Sequence, residues 1–331
     1  MSFANLHGHS HYSLLDGFGT PKDIVLRAKE LGYPAVALTD HGVTHGLIEF
    51  YKAAKEEGIK PILGCELYIA PRGRFDKEGK IDTKPYHLTV LAENNEGYKN
   101  LLLLVTKAHL EGFYYKPRVD YGLLKAYGKG LIALSGCMAG HLPRAILSGN
   151  DDEVEEVIKK NLEIFGKENY FLELQDHPLI ESQTFVNEKL KALSKKHKIP
   201  LVITNDSHYP RPEDSDVHDI LLCIQTGVSV NDENRMHYTG DFSIRPVDDI
   251  KAAVRDCPEA VSNTLKIAER CNVELEFGTN LIPQFPTPQN EKADIYLRML
   301  CEEGLKERFG KKKVPKEYVE RLDFELGVVN K

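Results

Sequence analysis

The sequence has no long hydrophobic run and no recognisable export signal. No apolar stretch reaches about 18 residues, the length at which a run predicts a membrane-spanning helix. The first ten residues, MSFANLHGHS, lack the basic region and the apolar stretch with which a secretory signal begins. We therefore expect a globular protein of the cytoplasm with no membrane segment. The 41% hydrophobic and 28% charged positions among its 331 residues are typical of such a protein.

Cysteine is sparse, and its positions are widely separated. In a chain without an export signal, scattered cysteines predict free thiols rather than a disulfide framework. A functional cysteine is therefore expected to be a metal ligand. The six cysteines are Cys65, Cys137, Cys223, Cys257, Cys271 and Cys301.

An excess of positive charge is also missing, since 43 lysines and arginines face 50 aspartates and glutamates and the formal net charge is −7. Proteins that bind nucleic acid by bulk electrostatics cluster positive charge against the phosphates. The composition argues against this mode of binding unless divalent cations held by the protein supply the positive charge.

What the sequence does contain is an alternation of short apolar runs with helix-like segments, which is typical of an α/β fold with a parallel sheet. Segments such as PKDIVLRAKELG and EVEEVIKKNLEIFG predict helices between the strands. The pattern fits a barrel related to the TIM fold and equally an open doubly wound sheet. After about residue 214 only helical segments follow. The predicted strands are 3–7, 35–39, 61–69, 87–91, 130–134, 170–174 and 200–204.

Polar residues stand at or after the ends of five of these seven strands. In both architectures the functional groups collect at the carboxyl ends of the strands. A single histidine beside a strand is usually a hydrogen-bonded structural residue, but several ionisable groups buried together are costly unless metal ions compensate their charge. The residues concerned are His7, His9, Asp40, His41, Glu66, Cys137, Asp206 and His208.

Spacing and chemistry predict a cluster of two or three divalent ions at this end of the sheet. Residues i and i+2 of a strand point to the same face, so His7 and His9 can chelate one ion together, as can Asp206 and His208. Imidazoles and a thiolate favour zinc, whereas carboxylates also admit manganese or iron. Such a cluster suits phosphoester hydrolysis, because zinc lowers the pKa of a bound water toward about 7 and a second ion stabilises the leaving oxygen.

Nine motifs carry a resemblance to a known family. In chain order they are HGHSHYSLLDG, ALTDHG, GCELY, YHLTVLA, NLLLLVTKAHLEGFYYKPRVD, LIALSGC, TNDSHY, HDILLCIQTG and PEAVSNTLKIAERCNVELEFG. Together and in this order they resemble the PHP (polymerase and histidinol phosphatase) superfamily, and within it the PHP domains of bacterial DNA polymerase III alpha subunits. The resemblance covers nearly the whole chain.

The resemblance implies a distorted seven-stranded TIM-like (β/α)7 barrel, the PHP fold, with a helical C-terminal extension. It divides the chain into a metal-binding barrel at 1–212, a helical completion at 213–280, and a linker with the truncated start of the polymerase palm at 281–331. The catalytic carboxylates of the palm would lie beyond Lys331. We therefore expect an isolated PHP domain that does not synthesise DNA.

The resemblance also implies a set of nine metal ligands. Asp16 and Cys137 stand where the small phosphatases of the superfamily usually have histidine. His87 is assigned from the resemblance alone, because it stands at the start of its apolar run. His9, Glu66 and Asp206 are the candidates for bridging ions or activating water. The nine implied ligands are His7, His9, Asp16, His41, Glu66, His87, Cys137, Asp206 and His208.

For polymerase subunits with a complete ligand set, the resemblance implies a metal-dependent 3′–5′ exonuclease that proofreads DNA with a hydroxide formed on a trinuclear cluster. The implied partners are DNA, either single-stranded or at a 3′ end, the remainder of the alpha subunit and its proofreading subunit. Two alternatives stay open: a small-molecule phosphatase of the histidinol-phosphate type, and a non-catalytic scaffold that metal ions stabilise.

Several residues outside the ligand set are candidates for substrate contact. His11 can meet a substrate phosphate, and Arg144 is assigned by its position near the site. In EGFYYKPRVD, aromatic and basic side chains can stack bases and meet phosphates, although ordinary packing explains the tyrosines as well; the residues named there are Tyr115, Lys116 and Arg118. The charged segment 72–84 predicts a mobile loop at the mouth of the site, and Asp40 is expected to orient the imidazole of His41.

Overall fold

The computed structural model describes residues 2–279 and 282–331, which form seven strands and twelve helices. The strands are β1 (Ala35–Leu38), β2 (Lys60–Ile69), β3 (Tyr86–Ala92), β4 (Arg118–Val119), β5 (Leu131–Leu134), β6 (Tyr170–Gln175) and β7 (Leu201–Thr204). The helices are α1 (Pro21–Glu30), α2 (Leu47–Glu57), α3 (Asn95–Leu110), α4 (Tyr121–Tyr127), α5 (His141–Ser148), α6 (Asp151–Phe165), α7 (Glu181–His197), α8 (Ser215–Thr226), α9 (Val247–Ala253), α10 (Glu259–Arg270), α11 (Ala293–Phe309) and α12 (Lys316–Val329).

The chain divides into two compact units, Met1–Glu274 and Leu275–Lys331. The first contains β1 to β7 and α1 to α10. The second contains α11 and α12, which are joined by an ion pair of 2.7 Å between Arg298 and Asp323. The predicted barrel at 1–212 and most of its predicted helical completion therefore lie in one unit, and their functional division stays a prediction. None of the described helices is both long and apolar enough to span a membrane.

The strands form one curled sheet in the order β1-β2-β3-β5-β6-β7, with the short β4 paired to β2. The N-terminal segment connects its two edges, because Asn5 bridges Val36 of β1 and Gly8 bridges Ser207, just beyond β7. The predicted first strand is thus a pair of isolated bridges that closes the sheet. The distorted seven-stranded α/β barrel with a helical extension is confirmed.

The prediction of a wholly parallel sheet is wrong for β3. This strand runs antiparallel to both of its neighbours, β2 and β5, and pairs His87 with Tyr68 and Ala92 with Leu131. The first residues of β3 therefore lie where β2 ends, at the same end of the barrel. The position of His87 at the start of its apolar run, which did not fit a parallel strand, is explained by this reversal.

The helices that surround the sheet begin and end at local signals in the sequence. Thr20 caps α1 in a reciprocal capping box with Asp23, and Pro21 occupies the first turn, where its missing N–H costs nothing. Helix α2 ends at Gly58 in the left-handed conformation, with φ of 72°. These signals set the bounds of the two helices.

Helix α10 covers the end of the barrel opposite the polar residues. Ile267 of α10 and Cys271, which follows the helix directly, join the apolar core that Leu6 and Val202 also form. Asn263 donates a hydrogen bond of 2.7 Å to the carbonyl of Leu201, at the start of β7. Because α10 covers the ends at which the parallel strands begin, access to the barrel is left at their carboxyl ends.

Candidate metal centre

The nine implied ligands come together at the carboxyl ends of the parallel strands. Eight of them form four overlapping groups of three, and within each group the ligand atoms lie within 4.8 Å of one another. Cys137 completes the set, since its Sγ lies 3.4 Å from Oε1 of Glu66 and 3.5 Å from Nδ1 of His87. The groups are His7–His9–Glu66, His9–Asp206–His208, Asp16–His41–His208 and His41–Glu66–His87.

The distances around Asp206 fit a metal ion better than hydrogen bonds. Its Oδ1 lies 3.3 Å from Nε2 of His9 and 3.4 Å from Nε2 of both His7 and His208. Ligand atoms about 2.1 Å from a tetrahedral ion stand roughly 3.4 Å apart. Within the described residues, this oxygen and the Nε2 atoms of His7 and His9 are buried without a hydrogen-bond partner. A divalent cation would satisfy all three at once.

The backbone of Asp206 adopts the left-handed conformation, with φ of 48°. Aspartate tolerates this region better than most residues, although the conformation remains uncommon. The resulting bend directs the carboxylate back toward the N-terminal histidines. Burial opposes its ionisation, but the neighbouring His7 and His208 hold the pKa of Asp206 well below its usual value.

Glu66 lies between two sides of the cluster. Its Oε1 is 3.4 Å from Nε2 of His7 and 3.0 Å from Nδ1 of His87, while its Oε2 is 2.6 Å from Nδ1 of His41. Burial would raise the pKa of this carboxyl, yet the imidazoles of His87, His7 and His41 lower it well below its usual value. Glu66 has the position that a bridging carboxylate requires.

Asp16 ties the turn that closes the first motif to both His41 and residues of the helical extension. Its Oδ2 lies 2.8 Å from Nε2 of His41, and its Oδ1 accepts a 3.0 Å hydrogen bond from the hydroxyl of Tyr238. Its backbone carbonyl accepts hydrogen bonds from Nδ1 of His208 and Nε2 of His218. The Asp16 carbonyl thereby fixes the tautomer of His208 whose Nε2 faces Asp206. Sequence reasoning did not identify Tyr238 or His218.

Glu173 is a second residue that sequence reasoning missed. This carboxylate is buried in β6 and accepts a 2.7 Å hydrogen bond from Nδ1 of His7. It also accepts from the hydroxyl of Thr204 at 2.6 Å and from the N–H of Gly136 at 3.1 Å. The signal was a single carboxylate in the otherwise uncharged strand YFLELQ, since such a group needs hydrogen-bonded partners to be buried.

Asp40 orients the site through Ser13. Its carboxylate accepts hydrogen bonds from the N–H of Ser10 at 2.7 Å and from the hydroxyl of Ser13 at 2.8 Å. The Ser13 oxygen in turn lies 3.0 Å from Nδ1 of His9 and accepts from the N–H of His41. The expectation that Asp40 orients the imidazole of His41 directly is therefore wrong: its effect reaches the ring of His9 and only the backbone of His41.

A cleft of about 650 Å³ opens onto this cluster. Three cationic side chains also line it, Lys84, Lys116 and Arg144, and the ammonium of Lys116 lies 5.4 Å from the centre of the Tyr68 ring. The ligands therefore border solvent-accessible space on one side. Those that line the cleft are Asp16, His41, His87, Cys137, Asp206 and His208.

Arg118 does not face the cleft, and its assignment to substrate binding is wrong. The side chain is fully buried, and its guanidinium donates hydrogen bonds of 2.8 to 3.1 Å to four backbone carbonyls. Three of these belong to Arg74, Asp76 and Asp82, inside the segment 72–84 that was predicted to be mobile. Arg118 instead anchors this segment, which then leads to Lys84 in the cleft.

The remaining predicted contact residues divide between the cleft and the surface. Lys116 and Arg144 line the cleft. Tyr115 is 71% exposed, and its ring meets the ring of Tyr114 edge to face. His11 is exposed, with its ring 4.3 Å from that of Tyr12. The structure does not bring Tyr115 or His11 into the cluster, and their contact with substrate stays a prediction.

The fold and site define a TIM-like barrel with a cluster of histidines and carboxylates at its open end. The description of the PHP domain family matches residues 5–177, more than half of the chain. The chain belongs to the PHP domain family.

The chain is similar over nearly its whole length to alpha subunits of bacterial DNA polymerase III. It is 46% identical over 332 residues to the DNA polymerase III subunit alpha of Treponema pallidum, covering 99% of this chain and 28% of that protein. It is 41% identical over 320 residues to the DNA polymerase III subunit alpha of Thermus aquaticus, covering 93% and 26%. The chain thus spans roughly a quarter of the length of these relatives.

Among solved structures, one match is a two-domain protein from Bacteroides vulgatus, described as containing a predicted PHP-like metal-dependent phosphoesterase. The match has 15% identity and a TM-score of 0.41, and it covers 84% of this chain and 72% of that one.

Proposed function

We propose that the chain is the PHP domain of a bacterial DNA polymerase III alpha subunit and that it hydrolyses DNA from the 3′ end. Two or three divalent ions, zinc or else manganese or iron, would be held by the nine ligands. The observation that carries this proposal is the set of buried ligand atoms that have no hydrogen-bond partner among the described residues and that converge beneath an open cleft. They belong to His7, His9 and Asp206.

The ligand set suits more than one ion. Glu66 and Asp206 each face several imidazoles and would bridge neighbouring positions, while Asp16 and His41 lie on the side nearest Tyr238. When bound, divalent ions lower the pKa of water and offset the charge that develops on phosphoryl oxygens. Burial raises the pKa of the Cys137 thiol well above its usual value. Its thiolate would therefore form only with a cation beside it.

The cations of the cleft supply the attraction for DNA that the composition as a whole lacks. Lys84, Lys116 and Arg144 line the cleft beside the carboxylates of the cluster. Cations placed there attract a phosphodiester chain and would hold its last phosphodiester near the cluster. A net charge of −7 is thus compatible with binding one strand locally.

The cleft also bears on the scaffold alternative. A purely structural metal site is closed by protein ligands, whereas a catalytic site keeps an exchangeable position. Six of the nine ligands line the cleft, so water and substrate have access to the cluster. This access supports hydrolysis over a role in stability alone.

The test compares the natural chain with Asp206→Asn on a 5′-labelled single-stranded DNA and on a simple phosphomonoester, with zinc or manganese. Asparagine tolerates the left-handed backbone of position 206, so the variant is expected to fold. The matched control is Asp152→Asn, at an exposed position of α6.

The natural chain and the control are expected to shorten the DNA from its 3′ end, and Asp206→Asn is not. Cleavage of the monoester alone would replace the exonuclease with a small-molecule phosphatase. If the metal-loaded chain cleaves neither substrate, the hydrolase proposal is wrong and the scaffold role replaces it.

A further inference from the structure

One wall of the cleft carries no charge. The cationic side chains Lys84, Lys116 and Arg144 line other parts of the same cleft. We call His177, Gln183 and Phe242, which all line the cleft, the uncharged wall. The metal ligands do not include any of its three residues.

His177 is buried, and its polar atoms are unpaired among the described residues. The residue is 5% exposed, and its ring stacks on that of Phe242 at 4.0 Å with an interplanar angle of 18°. Neither ring nitrogen has a hydrogen-bond partner in the part of the chain that the structure describes. A neutral imidazole has one donor and one acceptor, and leaving both unsatisfied in a buried position is costly. A ligand in the cleft would remove this cost.

Gln183 also has a buried polar atom that is unpaired among the described residues. The side-chain amide donates a 3.0 Å hydrogen bond to Oδ1 of Asn187, while its buried Oε1 has no partner within the described residues. The uncharged wall therefore offers one free acceptor from Gln183 and a donor and an acceptor from His177. A flat heterocycle with polar edges is complementary to this set.

The uncharged wall adjoins the metal centre through its aromatic ring. The ring of Phe242 lies 4.0 Å from the ring of His177 and 5.9 Å from the ring of His208. A ligand whose phosphate meets the cluster would therefore place the group next to that phosphate near the uncharged wall. In a nucleotide, this group is the nucleoside.

We propose that the uncharged wall binds the nucleobase of the 3′-terminal nucleotide while the phosphate lies at the metal centre. The inference rests on the proposed function, because it assigns the substrate's base to a part of the same cleft. Bases stack on aromatic side chains, and their edges carry donors and acceptors that His177 and Gln183 can pair. The absence of charge on this wall favours a base over a second phosphate.

The experiment measures binding of the reaction product, and thus does not depend on turnover of DNA. Calorimetry of the manganese-loaded chain compares dAMP with 2-deoxyribose 5-phosphate, which has the same sugar and phosphate but no base. Release of inorganic phosphate is followed in the same samples. We expect dAMP to bind at least about tenfold more tightly, the effect of one stacked and hydrogen-bonded base.

The variant His177→Phe keeps the stack on Phe242 and removes both ring nitrogens. It is expected to lose most of the preference for dAMP, to bind 2-deoxyribose 5-phosphate as the natural chain does, and to melt no lower, since it removes unsatisfied buried atoms. Gln183→Leu provides a second variant that is also expected to lose preference for dAMP, but it removes the hydrogen bond to Asn187 and should melt lower. His237→Phe, at an exposed position in the lining of the cleft, is the matched control and should keep the preference.

Equal affinity for dAMP and 2-deoxyribose 5-phosphate, or an unchanged preference in both variants, would overturn the inference. A preference for dAMP that depends on His177 in a chain that does not cleave DNA would support the base site and contradict the exonuclease. The two proposals can therefore fail separately.

Discussion

Glu173 accepts a 2.7 Å hydrogen bond from Nδ1 of His7, and this contact turns the other nitrogen of the ring toward Glu66 and Asp206. The proton on Nδ1 leaves the lone pair of Nε2 free to bind a cation. Thr204 and Gly136 hold the carboxylate of Glu173 in place. Carboxylates that orient metal-binding histidines in this way raise the basicity of the ring and fix its tautomer.

Replacing Glu173 with glutamine is expected to weaken metal binding by about 10- to 100-fold. The amide keeps the size of the side chain but loses the charge and one acceptor, so His7 is held less firmly. Competition with a chromogenic chelator measures the affinity for zinc. Glu163→Gln, on the exposed face of α6, is the control. Equal affinity in the two variants would show that Glu173 does not support the site.

Tyr238 allows a test of whether the helical extension contributes to the metal centre. Its hydroxyl donates to Oδ1 of Asp16, whose other oxygen faces His41. We expect Tyr238→Phe to lower the affinity of the metal position that Asp16 serves, and to leave the positions served by His7 and His9 filled. Metal content after dialysis against graded chelator measures this difference. Tyr115→Phe should retain the full metal content, and a similar loss there would contradict the assignment.

Arg118 and Lys116 are two positions apart, but we expect Arg118 to contribute to stability and Lys116 to contribute to DNA binding. Arg118→Leu removes the donor to four backbone carbonyls, two of them in buried positions, and should destabilise the protein by about 2–4 kcal/mol. Lys116→Ala should change stability by less than about 0.5 kcal/mol and weaken DNA binding, with a smaller salt dependence. Urea denaturation and binding titrations at several salt concentrations separate the two effects. Normal stability of Arg118→Leu would contradict the anchoring role.

Removal of the metal ions is expected to lower the stability of the protein more at high pH than at low pH. Burial lowers the pKa of His41, but Glu66 and Asp16 outweigh it and raise the pKa to about 10 in the metal-free chain. The stability that this raised pKa provides is complete below the unfolded value of about 6.5 and is lost as the pH approaches the folded value. Metal binding requires the neutral imidazole. A bound ion therefore replaces the stabilisation that the charged ring provides in the metal-free chain.

The melting temperatures of zinc-loaded and chelated protein are therefore expected to diverge between about pH 6 and about pH 9. Burial lowers the pKa of His9 to about 3, which opposes folding only below about pH 6.5 and leaves this interval unaffected. His41→Gln lacks the titrating ring, so the melting temperatures of its zinc-loaded and chelated forms should diverge less. A difference that stays constant or shrinks with pH would contradict the prediction.

The sequence by itself determined where most strands lie and which residue types meet at their ends. Six of the seven predicted strands, all but 3–7, agree with the structure to within about a residue at each end, because apolar runs and turn residues are local signals. The ligand types were equally readable, since His7 with His9 and Asp206 with His208 are close in the chain.

Tertiary structure decided the direction of β3 and the residues that support the ligands. No local pattern distinguishes an antiparallel strand in such a barrel, so the place of His87 followed only from its pairing with β2. Glu173 meets His7 across 166 positions of the chain, and Tyr238 meets Asp16 across 222. The burial of Arg118 likewise depends on a loop folding over it. Such contacts depend on how distant segments pack together, and a single sequence read along its length does not show this packing.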